Sequence, residues 1–79
     1  MLTMYTTSWC GYCVRLKRQL DREGVEYAVV DIERDPAAEA YVKSVNGGNA
    51  TVPTVVFPDG SAMTNPSIRQ VTDKVASAA

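Results

Sequence analysis

The residues best suited to nucleophilic chemistry in this 79-residue sequence are its two cysteines, Cys10 and Cys13, in the stretch TSWCGYCVRLKRQL at positions 7–20. Three chemistries compete for such a pair. A closed zinc site takes four ligands, and two cysteines with no histidine in the chain supply only half of them. No metal site is therefore assigned, although a second subunit could complete one. A structural disulfide here closes a tiny loop and contributes little through chain entropy. A redox pair at a strand-to-helix junction fits the local layout.

Physical arguments then separate the two sulfurs. If the helix begins near Cys10, that sulfur lies at the positive end of the helix macrodipole, close to unpaired backbone N–H groups. Both favour the thiolate, which is the nucleophilic form. Cys13, three residues on, lies one turn further in, beneath its partner and less exposed, within reach for a disulfide across the turn. Cys10 is thus assigned the attack and Cys13 at most a resolving role. No histidine or acid stands beside them in the sequence. Arg15 and Lys17 could add positive field, but a solvated helix face explains each of them more simply.

The flanking elements are legible from periodicity. Leu2 to Thr6 alternates and is rich in strand formers. From about Tyr12 the spacing becomes helical, with Cys13, Leu16 and Leu20 on one face and Gly24 as the terminating glycine. Val25 to Ile32 reads as a second strand whose apolar middle predicts burial on both faces. Asp35-Pro36 is an N-cap followed by proline at the first helical position, and that helix stops at Asn46-Gly47-Gly48. Pro53 to Pro58 is a third strand, Asp59-Gly60 a two-residue hairpin signal, and Ser61 to Thr64 a fourth strand. Asn65-Pro66-Ser67 opens a last helix with Ile68, Val71 and Val75 on one face, and the tail ASAA is expected to fray. The order is β-α-β-α-β-β-α, with the first two strands parallel and the last two antiparallel. Tyr5, Tyr27, Val29, Val55 and Phe57 are the expected core fillers. Asp31 admits two readings, a buried acid near the thiols or, more simply, a turn or cap residue.

Bulk composition narrows the function classes. The chain is 46% hydrophobic and 22% charged with a net charge of −1, ordinary for one soluble globular domain spanning residues 1–79. Eight basic residues against nine acidic ones exclude a nucleic-acid footprint. Apolar runs fall far short of a membrane span, and the start MLTMYTTSW lacks signal-peptide character. A cytoplasmic setting follows, where thiols stay reduced and closely spaced cysteines argue for chemistry.

With the element order, the cysteine pair and Thr51-Val52-Pro53 together, the chain resembles the glutaredoxin branch of the thioredoxin superfamily over nearly its full length. The segments YTTSWCGYC, VNGGN-TVPTV and DGS-MTNPS are similar to those of the mycoredoxin subgroup, glutaredoxin-like enzymes of actinobacteria that use mycothiol. The resemblance implies an α/β thioredoxin/glutaredoxin-like fold, a four-stranded mixed sheet flanked by three helices. It also implies a cis Val52-Pro53 bond facing the cysteines, with the Val52 backbone pairing with the substrate's main chain.

Departures from glutathione-using relatives point the same way. Gly11 replaces the usual proline, Thr7 and Ser8 stand where a lysine often does, and Asn65-Pro66-Ser67 replaces the carboxylate-gripping signature. Trp9 is more typical of thioredoxins. Trp9, Tyr12, Thr51, Val52, Pro53 and Asn65 are the implied substrate-binding residues, with simple surface exposure the competing reading for Tyr12. The implied activity is reduction of mycothiol mixed disulfides on proteins or small thiols by a monothiol route at Cys10. No cofactor is bound; mycothiol is the co-substrate, and a separate mycothiol disulfide reductase supplies NADPH electrons. A monomer is expected. The alternatives are a dithiol redoxin serving ribonucleotide reductase with electrons from thioredoxin reductase, and a dimeric iron–sulfur cluster carrier.

Overall fold

The computed structural model describes residues 1–77. Strand β1, Leu2–Thr6, keeps the alternation of its sequence, with Leu2, Met4 and Thr6 buried and Thr3 and Tyr5 partly covered. Helix α1, Gly11–Arg22, buries Cys13, Leu16 and Leu20 along one stripe. It ends as Gly24 predicts. That residue adopts φ 69°, its N–H donates to Asp21 O at 3.2 Å, and the Val25 N–H donates to Leu20 O at 3.0 Å, which closes the last turn.

Helix α2, Pro36–Val45, starts on Asp35, whose Oδ1 accepts from the Ala37 and Ala38 N–H groups at 3.1 and 3.2 Å. Helix α3, Ile68–Ser77, is preceded by a reciprocal cap: Ser67 Oγ accepts from Gln70 N–H, and Gln70 Oε1 accepts from Ser67 N–H. Ala76 and Ser77 close this helix; the rest of the tail expected to fray, 78–79, lies outside the described residues.

The remaining strands are β2 (Tyr27–Asp31), β3 (Thr54–Val56) and β4 (Ala62–Thr64), each shorter than the sequence suggests. The sheet order is β2-β1-β3-β4. β1 pairs parallel with β2 and antiparallel with β3, which pairs antiparallel with β4. Side-chain alternation assigns one helix layer to each face of the sheet. Leu2, Met4, Val55 and Phe57 pack with Leu16, Leu20 and Val71 from α1 and α3. On the other face Ile32, Ala38 and Val42 pack with Tyr5, Val30 and Tyr41. The Tyr5 and Tyr41 rings lie 5.3 Å apart.

Two expectations are corrected. The apolar run of β2 does not mark a strand buried on both faces, because β2 is an edge strand and the central position belongs to β1. Val29 is accordingly 45% exposed rather than a core residue. Asp59-Gly60 does not form a two-residue loop either. The Phe57 N–H donates to Ser61 O and the Gly60 N–H to Phe57 O, so the loop is Pro58-Asp59-Gly60. Gly60, at φ 89°, takes the left-handed position that such three-residue hairpins require.

This hairpin is latched to α3. Lys74 Nζ lies 2.8 Å from Asp59 Oδ2 and 5.9 Å from the centre of the Phe57 ring. The Lys74 ammonium, helped by the Ser61 hydroxyl and N–H, holds the Asp59 carboxyl well below the usual carboxylate range. A depressed carboxyl contributes stability that is present above its unfolded-state pKa and lost as pH falls toward the folded-state value. Thermal unfolding of the parent and of Asp59→Asn should therefore differ most above about pH 4 and converge as acid is added. A difference independent of pH would show that charge on Asp59 plays no part.

Candidate active site

The site is assembled where β1 gives way to α1. Cys10 is the N-cap of α1, and its Sγ accepts the Cys13 N–H at 3.2 Å. The sulfur thus meets both a backbone donor and the positive end of the helix, the electrostatics a thiolate needs. Gly11 is the first helical residue, a position where proline is readily accommodated. A Cβ built there meets nothing within 4 Å, so crowding does not explain the glycine.

Both thiols are free. Cys10 is 5% exposed and Cys13 fully buried, which preserves the expected order of access. The nucleophile is nonetheless more covered than an open attacking group. The cause is the segment facing it: the Cys10 thiol donates to Val52 O at 3.8 Å, and Pro53 beside it is buried. The Val52-Pro53 peptide bond is cis.

Burial, followed by the hydrogen bond with Cys10, pushes the Cys13 thiol up to about 11, against the opposing effects of the Thr6 side chain and Thr7 backbone. Its neutral form therefore dominates far above neutral pH. A raised thiol contributes stability that is complete below its unfolded-state pKa and is lost as pH rises through the folded-state value. Brief iodoacetamide treatment of the native protein should accordingly label Cys10 alone, as peptide mass mapping would show. Comparable labelling of Cys13 would contradict the burial argument.

The other sequence-derived residues divide into two groups. Val52 meets the sulfur through its carbonyl, with Thr51 and Pro53 on either side of it in the chain, and the Asn65 N–H donates to Pro53 O at 2.7 Å. Asn65 also lines, with Tyr12, Arg15, Gln19 and Gln70, a groove of about 430 Å³ between α1 and α3. Tyr12 is thus both exposed and at the groove's edge. Trp9, 72% exposed, stands beside Cys10 in sequence and leaves its ring to solvent. Asp31 is the last residue of β2 and caps the turn that follows, its Oδ1 accepting the Glu33 N–H at 2.9 Å.

Glu33 escaped the sequence reading. Its Oε1 accepts from Ser8 N–H at 3.4 Å and Ser8 Oγ at 3.3 Å, tying the loop before Cys10 to the end of β2. The two positions are 25 residues apart, and no local pattern announces the contact.

The geometry on its own describes a covered nucleophilic sulfur, a buried partner thiol and a backbone edge alongside. The glutaredoxin family profile matches residues 2–62. The chain belongs to the glutaredoxin family. It is a glutaredoxin-like thiol-disulfide oxidoreductase, with the CxxC pair of that family at Cys10 and Cys13. A glutaredoxin-named protein of Mycobacterium tuberculosis (strain H37Rv) is 60% identical over 74 residues, covering 94% of this chain and 88% of the relative. Mycoredoxin 1 of Corynebacterium glutamicum is 46% identical over 74 residues, covering 94% and 91% respectively. Among solved structures, the thioredoxin-like protein BC3987 superposes with a TM-score of 0.78 at 27% identity, covering 92% of this chain and 97% of that one. The NrdH-redoxin of Escherichia coli gives 0.78 at 21% identity over 91% of each chain, a likeness of fold alone. This glutaredoxin-type chain carries the expected element order β-α-β-α-β-β-α, with the first two strands parallel and the last two antiparallel.

Proposed function

We propose that the enzyme reduces mixed disulfides between mycothiol and protein or small-molecule thiols, using Cys10 alone for the chemistry. The observation carrying this reading is the asymmetry of the pair: Cys10 caps α1 and retains accessible surface, whereas Cys13 is fully buried and held neutral. The Cys10 thiolate attacks the mycothiol sulfur of the mixed disulfide. The old S–S bond breaks, and the substrate leaves as a thiolate that takes up a proton. Mycothiol remains bonded to Cys10 through the new S–S bond. A second mycothiol thiolate attacks the mycothiol sulfur of that adduct, releasing mycothiol disulfide and restoring the Cys10 thiolate. A separate NADPH-dependent flavin reductase returns the disulfide to mycothiol.

The 46% identity to a mycoredoxin supports mycothiol as the thiol. So does the groove beside Tyr12, lined by amide, hydroxyl and guanidinium groups that suit a polyhydroxylated ligand. Trp9, Tyr12, Thr51, Val52, Pro53 and Asn65 are assigned to substrate binding on this reading. The test is steady-state turnover of the Cys13→Ser variant on a mycothiol mixed disulfide and a glutathione mixed disulfide in parallel. We expect kcat/KM at least about tenfold higher on the mycothiol substrate, a difference of ~1.4 kcal/mol in transition-state binding. Little turnover on either, in a variant whose parent still reduces protein disulfides, would make this a dithiol redoxin.

A further inference from the structure

The segment facing Cys10 is held from both sides by one residue the mechanism has not used. Asn46, the C-cap of α2, sends its Nδ2 to two acceptors, Val42 O at 2.9 Å and Thr54 Oγ1 at 3.1 Å. Its Oδ1 accepts from Thr64 Oγ1. Thr54 and Thr64 are cross-strand partners on β3 and β4. The Asn46 amide therefore spans a strand pair while its other bond ties it to α2.

Each of those threonines leads on to the active-site edge. Thr54 Oγ1, in a fully buried side chain, donates to Thr51 O at 2.8 Å, the carbonyl just before Val52. Thr64 directly precedes Asn65, whose N–H donates to Pro53 O at 2.7 Å, the carbonyl just after Val52. The carbonyls flanking Val52 are thus fixed by two chains that meet at one amide. Between them Val52 O lies 3.8 Å from Cys10 Sγ. A linked polar network of this kind over-determines a geometry more firmly than its separate bonds would. It also explains why Asn rather than glycine stands first in Asn46-Gly47-Gly48. That position needs a donor for Thr54 and an acceptor for Thr64.

We propose that Asn46 is a positioning residue that sets the Val52 backbone edge for substrate docking. This rests on the reading above, in which the substrate's main chain pairs with Val52. Loss of the amide lets the edge drift, so docking of a disulfide substrate suffers while Cys10, placed by α1, keeps its own reactivity. Sub-ångström placement of a substrate edge is worth about tenfold or more in rate.

The experiment compares Asn46→Ala and Thr64→Val with the parent in two assays. One is kcat and KM for the mycothiol mixed disulfide; the other is the pH profile of Cys10 alkylation by iodoacetamide, which needs no docking. Thr64 is exposed, so Thr64→Val cuts the same link with little risk to the fold, and Thr64→Ser restores the hydroxyl. We expect kcat/KM to fall about tenfold in Asn46→Ala and roughly threefold in Thr64→Val, mainly through KM. Thr64→Ser should return it, and alkylation should fall no more than about twofold in any variant. Unchanged kcat/KM in folded Thr64→Val overturns the proposal. So does a parallel fall in alkylation, which would route the effect through the sulfur. A parent inactive on mycothiol mixed disulfides would instead remove the mycothiol reading, and the same comparison then runs on whichever disulfide the parent reduces.

Discussion

Cys10→Ser is expected to abolish turnover on every disulfide substrate, a loss of at least about a thousandfold, because a covalent route cannot bypass its nucleophile. Cys13→Ser should keep much of the parent's rate on mycothiol mixed disulfides. The contrast follows from where α1 begins. With Cys10 as N-cap, its sulfur takes the Cys13 N–H at 3.2 Å and sits at the positive end of the helix. Cys13 lies one turn in, fully buried, with burial and its neighbour holding it protonated to about 11. A neutral buried thiol neither attacks an external disulfide nor is needed when a second small thiol can reach the adduct. Serine at position 10 preserves a cap oxygen, so helix α1 should survive and the lost rate should be chemical. The check is steady-state kinetics on both variants with far-UV circular dichroism alongside. Equal loss in both would contradict the one-thiol route.

Leu20→Ala should be among the costliest of the simple core truncations. Leu20 is fully buried and packs with Leu16 of α1 against Met4 of β1, Val55 of β3 and Val71 of α3. Removing three carbons from a filled site costs about 2–5 kcal/mol through lost transfer energy and the cavity left behind. A chain of this size has a total stability of about 4–12 kcal/mol. The variant should therefore melt roughly 8–40 °C below the parent. Val29→Ala, at the exposed edge strand, should cost no more than about 0.5 kcal/mol. Similar costs at the two positions would mean that the assignment of β2 to the sheet edge is wrong.

Those two residues also mark the boundary of what the sequence discloses. The α1 stripe of Cys13, Leu16 and Leu20 is visible because helical burial repeats every three or four residues, and Gly24 and Asp35-Pro36 announce their helix ends chemically. Val29 misled because an apolar run reports strand propensity, whereas edge or centre depends on which strand pairs beyond it. Sheet order is a non-local property. The loop at Asp59-Gly60 failed by one residue for a related reason: its dipeptide favours a turn, and the Phe57–Ser61 pairing decides which one. At the site, Cys10, Cys13 and Thr51-Val52-Pro53 could be found from spacing and resemblance. Glu33 could not, and Asn46 was legible only as a helix stop within VNGGN, since their bonds to Ser8 and Thr64 join residues 25 and 18 positions apart.

The most direct test of the central claim is the mass of the intermediate trapped on Cys13→Ser. The variant is mixed with one equivalent of a mycothiol mixed disulfide of a small thiol, quenched in acid and mapped by peptide mass spectrometry. The account predicts a single mycothiol adduct on the peptide bearing Cys10, with the small thiol released free. Attachment of the small thiol to Cys10 instead, or no adduct at all, would contradict it.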